Sequence, residues 1–226
     1  MSSNINIALN LDYINKEITE AKKNRLNKTK NVKLVAVSKT VDEGLIIEAI
    51  KSGHLCFGEN KVQEALKKWP KIKMAYPNTK LHMIGALQSN KIKDALNIFD
   101  VIETIDREKI AINIAKYIKN LNKKPQLYVQ INIGEEPQKS GCFPHHAVDF
   151  IKECNLIGLN ITGVMGIAPV NAPPAPYFAL LTNIANKLSI KNISMGMSND
   201  FKDAIYLGAT SVRIGSKIFG ERMLLK

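Results

Sequence analysis

Eight short β-rich runs, nearly all separated by helix-like stretches, constrain this chain more than any other feature. The runs are Val32–Val37, His54–Phe57, Leu81–Ile84, Asp100–Thr104, Leu127–Ile133, Asn160–Met165, Ile193–Met195 and Ser211–Ile214. Between them, Glu43–Lys51, Lys61–Lys68, Arg107–Leu121, His145–Cys154, Pro174–Leu188 and Asp200–Leu207 carry helical patterning. An opening segment, Leu11 to Leu26, sets Leu11, Ile14, Ile18 and Ala21 at helical spacing. Strands alternating with helices predict a parallel sheet covered by helices, an α/β fold. Eight such units favour a closed (β/α)8 TIM barrel, and 226 residues suit one barrel with little room for more, so 1–226 reads as a single domain. No G-x-G-x-x-G follows the first run, which argues against a dinucleotide-binding sheet. The third and eighth units are short, so an open sheet stays as the alternative.

Composition excludes several classes. With 45% hydrophobic and 23% charged residues the chain is of ordinary globular type. Cys56, Cys142 and Cys154 form neither an even set nor a C-x-x-C pair, so neither a disulfide framework nor a zinc site is expected, and no metal. No apolar run approaches the ~18 residues of a membrane span. The start, Met1 to Asn6, lacks the basic and apolar regions of a secretory signal, so the expected location is the cytoplasm. The net charge of +12 raises the question of nucleic acid. Only four of the 32 basic residues are Arg, the base-reading side chain, and the lysines are scattered along helices. A solvated basic surface is the better reading, with no nucleic acid and no membrane as partner.

In a barrel, chemistry sits where strands end and βα loops begin. Those positions carry Ser38-Lys39-Thr40, Gly58-Glu59-Asn60, Gly85 to Lys91, Met165-Gly166, Gly196 to Asp200, and Arg213-Ile214-Gly215-Ser216. Polar and glycine residues follow apolar runs each time, the pattern of a pocket. Lys39 directly follows an apolar strand, where partial desolvation favours a free amine able to form a Schiff base; a lysine snorkelling from the rim is the bland alternative. Gly196 to Asp200 and Gly215-Ser216 offer backbone N–H groups and hydroxyls after strands seven and eight, where barrels frequently hold phosphate. Ordinary helix capping would look the same in either loop alone. Arg213, pointing inward, needs an acceptor, either a ligand ring nitrogen or an acidic side chain. His54 and His82 read as core or rim histidines, and His145-His146 as surface. An aldehyde-capturing lysine, a phosphate cradle and a cationic ring partner together match pyridoxal 5′-phosphate (PLP).

The runs Val35 to Thr40, Phe57 to Glu64, His82 to Lys91, Lys139 to Gly141, Gly163 to Met165, Ser194 to Asp200 and Val212 to Gly220 resemble the pyridoxal phosphate homeostasis protein family. They occur in the family's order and cover nearly the whole chain. The resemblance implies a barrel similar to the N-terminal domain of alanine racemase, without the racemase's β-rich second domain. It implies that Lys39 forms the internal aldimine, that Ser198, Gly215 and Ser216 bind the phosphate, and that Arg213 faces the pyridine nitrogen. Asn60 and Met165 then line the pocket, with Lys139 on a loop near it. Ser216 stands where Thr is commoner, Lys217 replaces a usual small residue, and Asp42 stands where Pro is frequent.

The function so implied is non-catalytic holding of PLP in intracellular vitamin B6 homeostasis, with no catalytic residues. Apo PLP-dependent enzymes are the candidate recipients, and a monomer is the expected state. An arginine at the ring nitrogen disfavours the protonated pyridinium that makes PLP an electron sink. Alanine racemase resembles this chain in that arginine, so a single-domain amino-acid racemase is the runner-up. Its second acid/base, however, is a tyrosine carried by the missing domain. A Schiff-base aldolase for phosphorylated sugars is a third reading.

Overall fold

The structure, a computed structural model, describes residues 6–25, 31–121 and 124–220. Its sheet closes: β1 (Lys33–Val37), β2 (Cys56–Glu59), β3 (Lys80–Met83), β4 (Val101–Ile105), β5 (Gln126–Ile131), β6 (Ile161–Gly166), β7 (Asn192–Ser194) and β8 (Ser211–Ile214) pair in sequence order, all parallel. β8 returns to β1 with Val35 opposite Arg213 and Ala36 opposite Ile214, which discards the open sheet. The expected runs fall on these strands with ends displaced by a few residues.

Helices α2 (Glu43–Lys51), α3 (Val62–Ala75), α4 (Ile92–Ile98), α5 (Glu108–Ile118), α6 (Pro144–Leu156), α7 (Ala175–Lys187), α8 (Phe201–Tyr206) and α9 (Ser216–Phe219) each follow one strand. α9 is a single turn. Its place in the ring is completed by α1 (Ile7–Lys23), which packs on α2, α8 and α9 and buries Ile7, Leu11, Ile14 and Ile18. Leu26, the expected end of that segment, lies outside the described residues. α4 escaped the sequence reading because seven residues after a 3-10 turn are too few to show a period. α3 runs past its expected end at Lys68, straight through Pro70. An interior proline costs roughly 3 kcal/mol; burial of Trp69 and Ile72 on either side, each about as valuable, holds the helix through it.

Alternate residues of each strand divide two environments. Leu34, Ala36, Leu81, Ile102, Leu127, Val129, Val164, Ile193, Val212 and Ile214 pack against the helices in one apolar cluster. The other set faces the barrel interior and includes His82, Glu103, Ser194 and Arg213, all buried. Barrel interiors are usually filled with branched aliphatics; here the centre is polar and charged. Among the described residues no helix is long and apolar enough to cross a membrane, and no group of His, Cys, Asp and Glu is arranged to hold a metal ion.

Candidate functional site

The strand-end residues singled out in the sequence form one contiguous arc. In the closed order β6–β7–β8–β1–β2, Met165 is the last residue but one of β6, Ser198 follows β7, and Arg213, Gly215 and Ser216 sit on or after β8. Lys39 follows β1 and Asn60 follows β2. Met165 is fully buried, opposite Ser194 of β7. Ser216 Oγ and Ser198 Oγ lie 3.1 Å apart, so two loops distant in sequence bring their hydroxyls to one point. Gly196 sits at φ +91° and a Cβ there would meet Ala204 at 2.5 Å, so only glycine lets this loop fold back on α8. Asp200 closes it by accepting from Met197 N at 2.5 Å.

Lys39 is half-buried, and its backbone is tied down on both sides. Ser38 N donates to Gly58 O, and Ser38 Oγ donates to Glu59 Oε1 at 2.8 Å. Thr40 is held at φ +60°, a left-handed conformation costing a β-branched residue about 1–3 kcal/mol. Its N–H donates to Glu64 Oε1 at 2.6 Å. Lys68 from α3 joins the two carboxylates, 2.9 Å from Glu59 Oε1 and 2.8 Å from Glu64 Oε1, and donates to Ser38 O at 2.9 Å. Trp69 Nε1 adds a third donor to Glu59 Oε1 at 3.1 Å. Burial, working to raise the Glu64 pKa, is outweighed by Lys68 and the Thr40 N–H, which hold it below the usual range. This clamp escaped the sequence reading: Glu59 stood in a strand-end motif without a partner, and Lys68 resembled any other helical lysine.

Arg213 finds its acceptors inside the protein. Its guanidinium donates to Ser194 Oγ at 2.6 Å and Gly166 O at 3.0 Å, with Glu103 Oε2 at 3.8 Å. The acidic side chain is therefore present, and the arginine is a structural ion pair whatever else it meets. Burial lowers its pKa against the pull of Glu103 and Asp200; a guanidinium stays charged through shifts of that kind. Glu103 was also missed, although a charge within Val101-Ile102-Glu103-Thr104-Ile105 was the available signal. His82 lies in the interior as expected of a core histidine, but bonded to Glu103 Oε1 at 2.6 Å. His54 is half-buried with Nε2 2.6 Å from Cys56 O, and burial lowers its pKa. His145 and His146 are exposed.

Lys139 pairs with Glu136 and lines a cavity of about 220 Å³ with Ile84, Gly85, Gln130 and Asn132, across the mouth from Lys39. A larger cavity, about 340 Å³ beside Lys73, Leu96 and Pro125, lies at the opposite end of the barrel from these loops. Lys217 sits over the Phe201 ring at 5.3 Å, a cation–π contact. Asp42 caps α2 by accepting from Gly44 N at 2.8 Å. These residues fit a phosphorylated aldehyde. Asn60 Oδ1 is buried with no hydrogen-bond partner among the described residues, an acceptor awaiting a donor. A Cβ on Gly215 would come within 3.2 Å of Val37, so the glycine lets the loop that carries Ser216 pack closely on the end of β1.

The alanine racemase N-terminal domain family matches residues 9–223. The chain belongs to that family. Within it, the chain is 38% identical to the pyridoxal phosphate homeostasis protein of Vibrio cholerae, over 96% of both chains. To the human protein of the same name it is 35% identical over 98% of this chain and 89% of that one. Among solved structures it superposes on PipY of Synechococcus elongatus, without PLP, with a TM-score of 0.85 and 30% identity over 95% of this chain and all of PipY. PipY has also been solved with PLP bound, TM-score 0.81. The alanine racemase of Acinetobacter baumannii shares the fold at 16% identity and TM-score 0.72; the chain covers 63% of it.

Proposed function

We propose that this chain is a non-catalytic PLP-binding protein that holds the cofactor as a Lys39 aldimine and serves intracellular PLP homeostasis. Ser198, Gly215 and Ser216 take the phosphate, Arg213 faces the ring nitrogen, and Asn60 and Met165 line the pocket. The observation that carries the reading is the arc itself: a clamped strand-end lysine between an Asn60 acceptor unpaired among the described residues and two converging hydroxyls. Relatives called pyridoxal phosphate homeostasis proteins and a PLP-bound PipY support it. When bound, PLP supplies an aldehyde for the lysine and a ring that stabilises carbanions if its nitrogen is protonated. Arg213, buried and cationic, opposes that protonation, which favours holding over turnover.

The protein on this reading is a cytoplasmic monomer that gives PLP to apo PLP-dependent enzymes, with no nucleic-acid or membrane partner. The test incubates the PLP-loaded protein with an apo PLP-dependent enzyme, and separately with L-alanine. Recovery of the enzyme's activity with no D-alanine is expected. Multiple turnovers of racemisation would move the racemase reading ahead.

A further inference from the structure

The barrel interior holds a chain of buried charges that the pocket alone does not require. Arg213 NH1 donates to Ser194 Oγ at 2.6 Å, Ser194 Oγ donates to Glu103 Oε2 at 2.6 Å, and Glu103 Oε1 meets His82 Nδ1 at 2.6 Å. His82 Nε2 lies 3.4 Å from Cys56 Sγ. Each of Arg213, Ser194, Glu103 and His82 is at most 4% exposed. The Ser194 hydroxyl has one proton; donating it to Glu103 leaves its oxygen to accept from Arg213, so the chain has one direction. Glu103 is shared, with direct contact to His82 and only a 3.8 Å approach to Arg213.

We propose that His82 and Glu103 are positioning residues that act through Arg213, setting how much positive charge it presents to the PLP ring nitrogen. The proposal rests on the reading that Arg213 faces that nitrogen. With His82 an imidazolium, Arg213, Glu103 and His82 sum to one positive charge, because the single carboxylate is divided between two cations; Cys56 lies beyond His82, at the far end of the chain from Arg213. With a neutral side chain at 82, Glu103 compensates Arg213 alone and the sum is zero. The excess charge in the first state repels a pyridinium; the second state admits one.

The surroundings favour the charged form of His82. Burial works against it, yet Cys56 on one ring nitrogen and Glu103 on the other outweigh burial and raise its pKa to about 9. Burial raises the Glu103 pKa, and His82, Arg213 and Ser194 together bring it below the usual value. Tyr128, a further titratable group that feels Glu103 and Cys56, has its phenol pushed well above the ordinary range by burial and by both neighbours, so it stays neutral. Asp200 is the second carboxylate felt by Arg213.

The test loads wild type, His82→Gln and Arg213→Gln with PLP labelled with nitrogen-15 in the ring and follows the ring-nitrogen shift against pH. Removing one buried charge at this range is expected to raise the ring-nitrogen pKa in His82→Gln by about one unit, roughly tenfold in protonated fraction. Arg213→Gln should move it in the same direction. If Arg213→Gln shifts the titration and His82→Gln follows wild type, His82 is structural only and the proposal falls. If neither shifts it, Arg213 does not face the ring, and the reading of the site falls with it. A second measurement needs no variant and no cofactor: nitrogen-15 histidine shifts of the apo protein at pH 7.5 should show His82 as imidazolium. A neutral ring there overturns the proposal.

Discussion

Lys68→Met probes the clamp behind Lys39 most severely. The lysine side chain is 10% exposed and Glu59 not at all, and one ammonium serves Glu59, Glu64 and the Ser38 carbonyl together. Methionine fills similar volume but, among the described residues, leaves the Glu59 carboxylate buried with the neutral Ser38 and Trp69 donors. Breaking a buried pair from one side costs about 3–5 kcal/mol. At roughly 2–4 °C per kcal/mol for a chain of this length, the melting midpoint should fall by about 6–20 °C. Lys71→Met, on the exposed side of the same helix, is the control and should move stability by less than about 0.5 kcal/mol. Adding Glu59→Gln to Lys68→Met should recover part of the loss, because the stranded charge is then gone. Urea and thermal unfolding of the four proteins read this directly. Equal stability of Lys68→Met and Lys71→Met would refute the clamp.

Two further predictions follow from the site and the interior. Ser198→Ala and Ser216→Ala should each weaken PLP binding by about 1.5–3 kcal/mol, roughly 10- to 150-fold, while hardly changing pyridoxal, which lacks the phosphate; equal losses for both ligands in a titration would remove the phosphate role. His82, with its folded pKa raised above 6.5 to about 9, contributes stability that is present below pH 6.5 and lost as pH rises through 9. That contribution is roughly 3 kcal/mol. Urea unfolding at pH 6.5 and pH 10 should therefore show a larger drop for wild type than for His82→Gln, and identical drops would show that the imidazolium is not what the native state holds.

Much of this architecture is legible in the sequence because each unit states its own period. β8, Ser211–Ile214, and α2, Glu43–Lys51, fall on their expected bounds, since a capping Asp42 and a short apolar strand are local signals. α3 continues past Pro70 because Trp69 and Ile72 are buried in a core that no local rule sees. The strand-end residues were readable as candidates because polar residues after apolar runs mark the mouth of a barrel. What joins them was not. Glu59 with Lys68, and Glu103 with His82, lie 9 and 21 positions apart in sequence and meet only when α3 folds onto β2 and when β3 and β4 align. A charge in an apolar strand announces that it needs a partner without saying which one.

On the proposed reading, Lys39 is the residue that holds PLP. Borohydride reduction of the PLP-loaded wild-type protein, followed by peptide mass spectrometry, tests it in one step, since reduction fixes the cofactor to whichever amine carries it. A pyridoxyl group on Lys39, and none in Lys39→Ala treated alike, is the predicted result. An adduct on Lys91 or Lys139, or no adduct in a protein that demonstrably retains PLP, would contradict it.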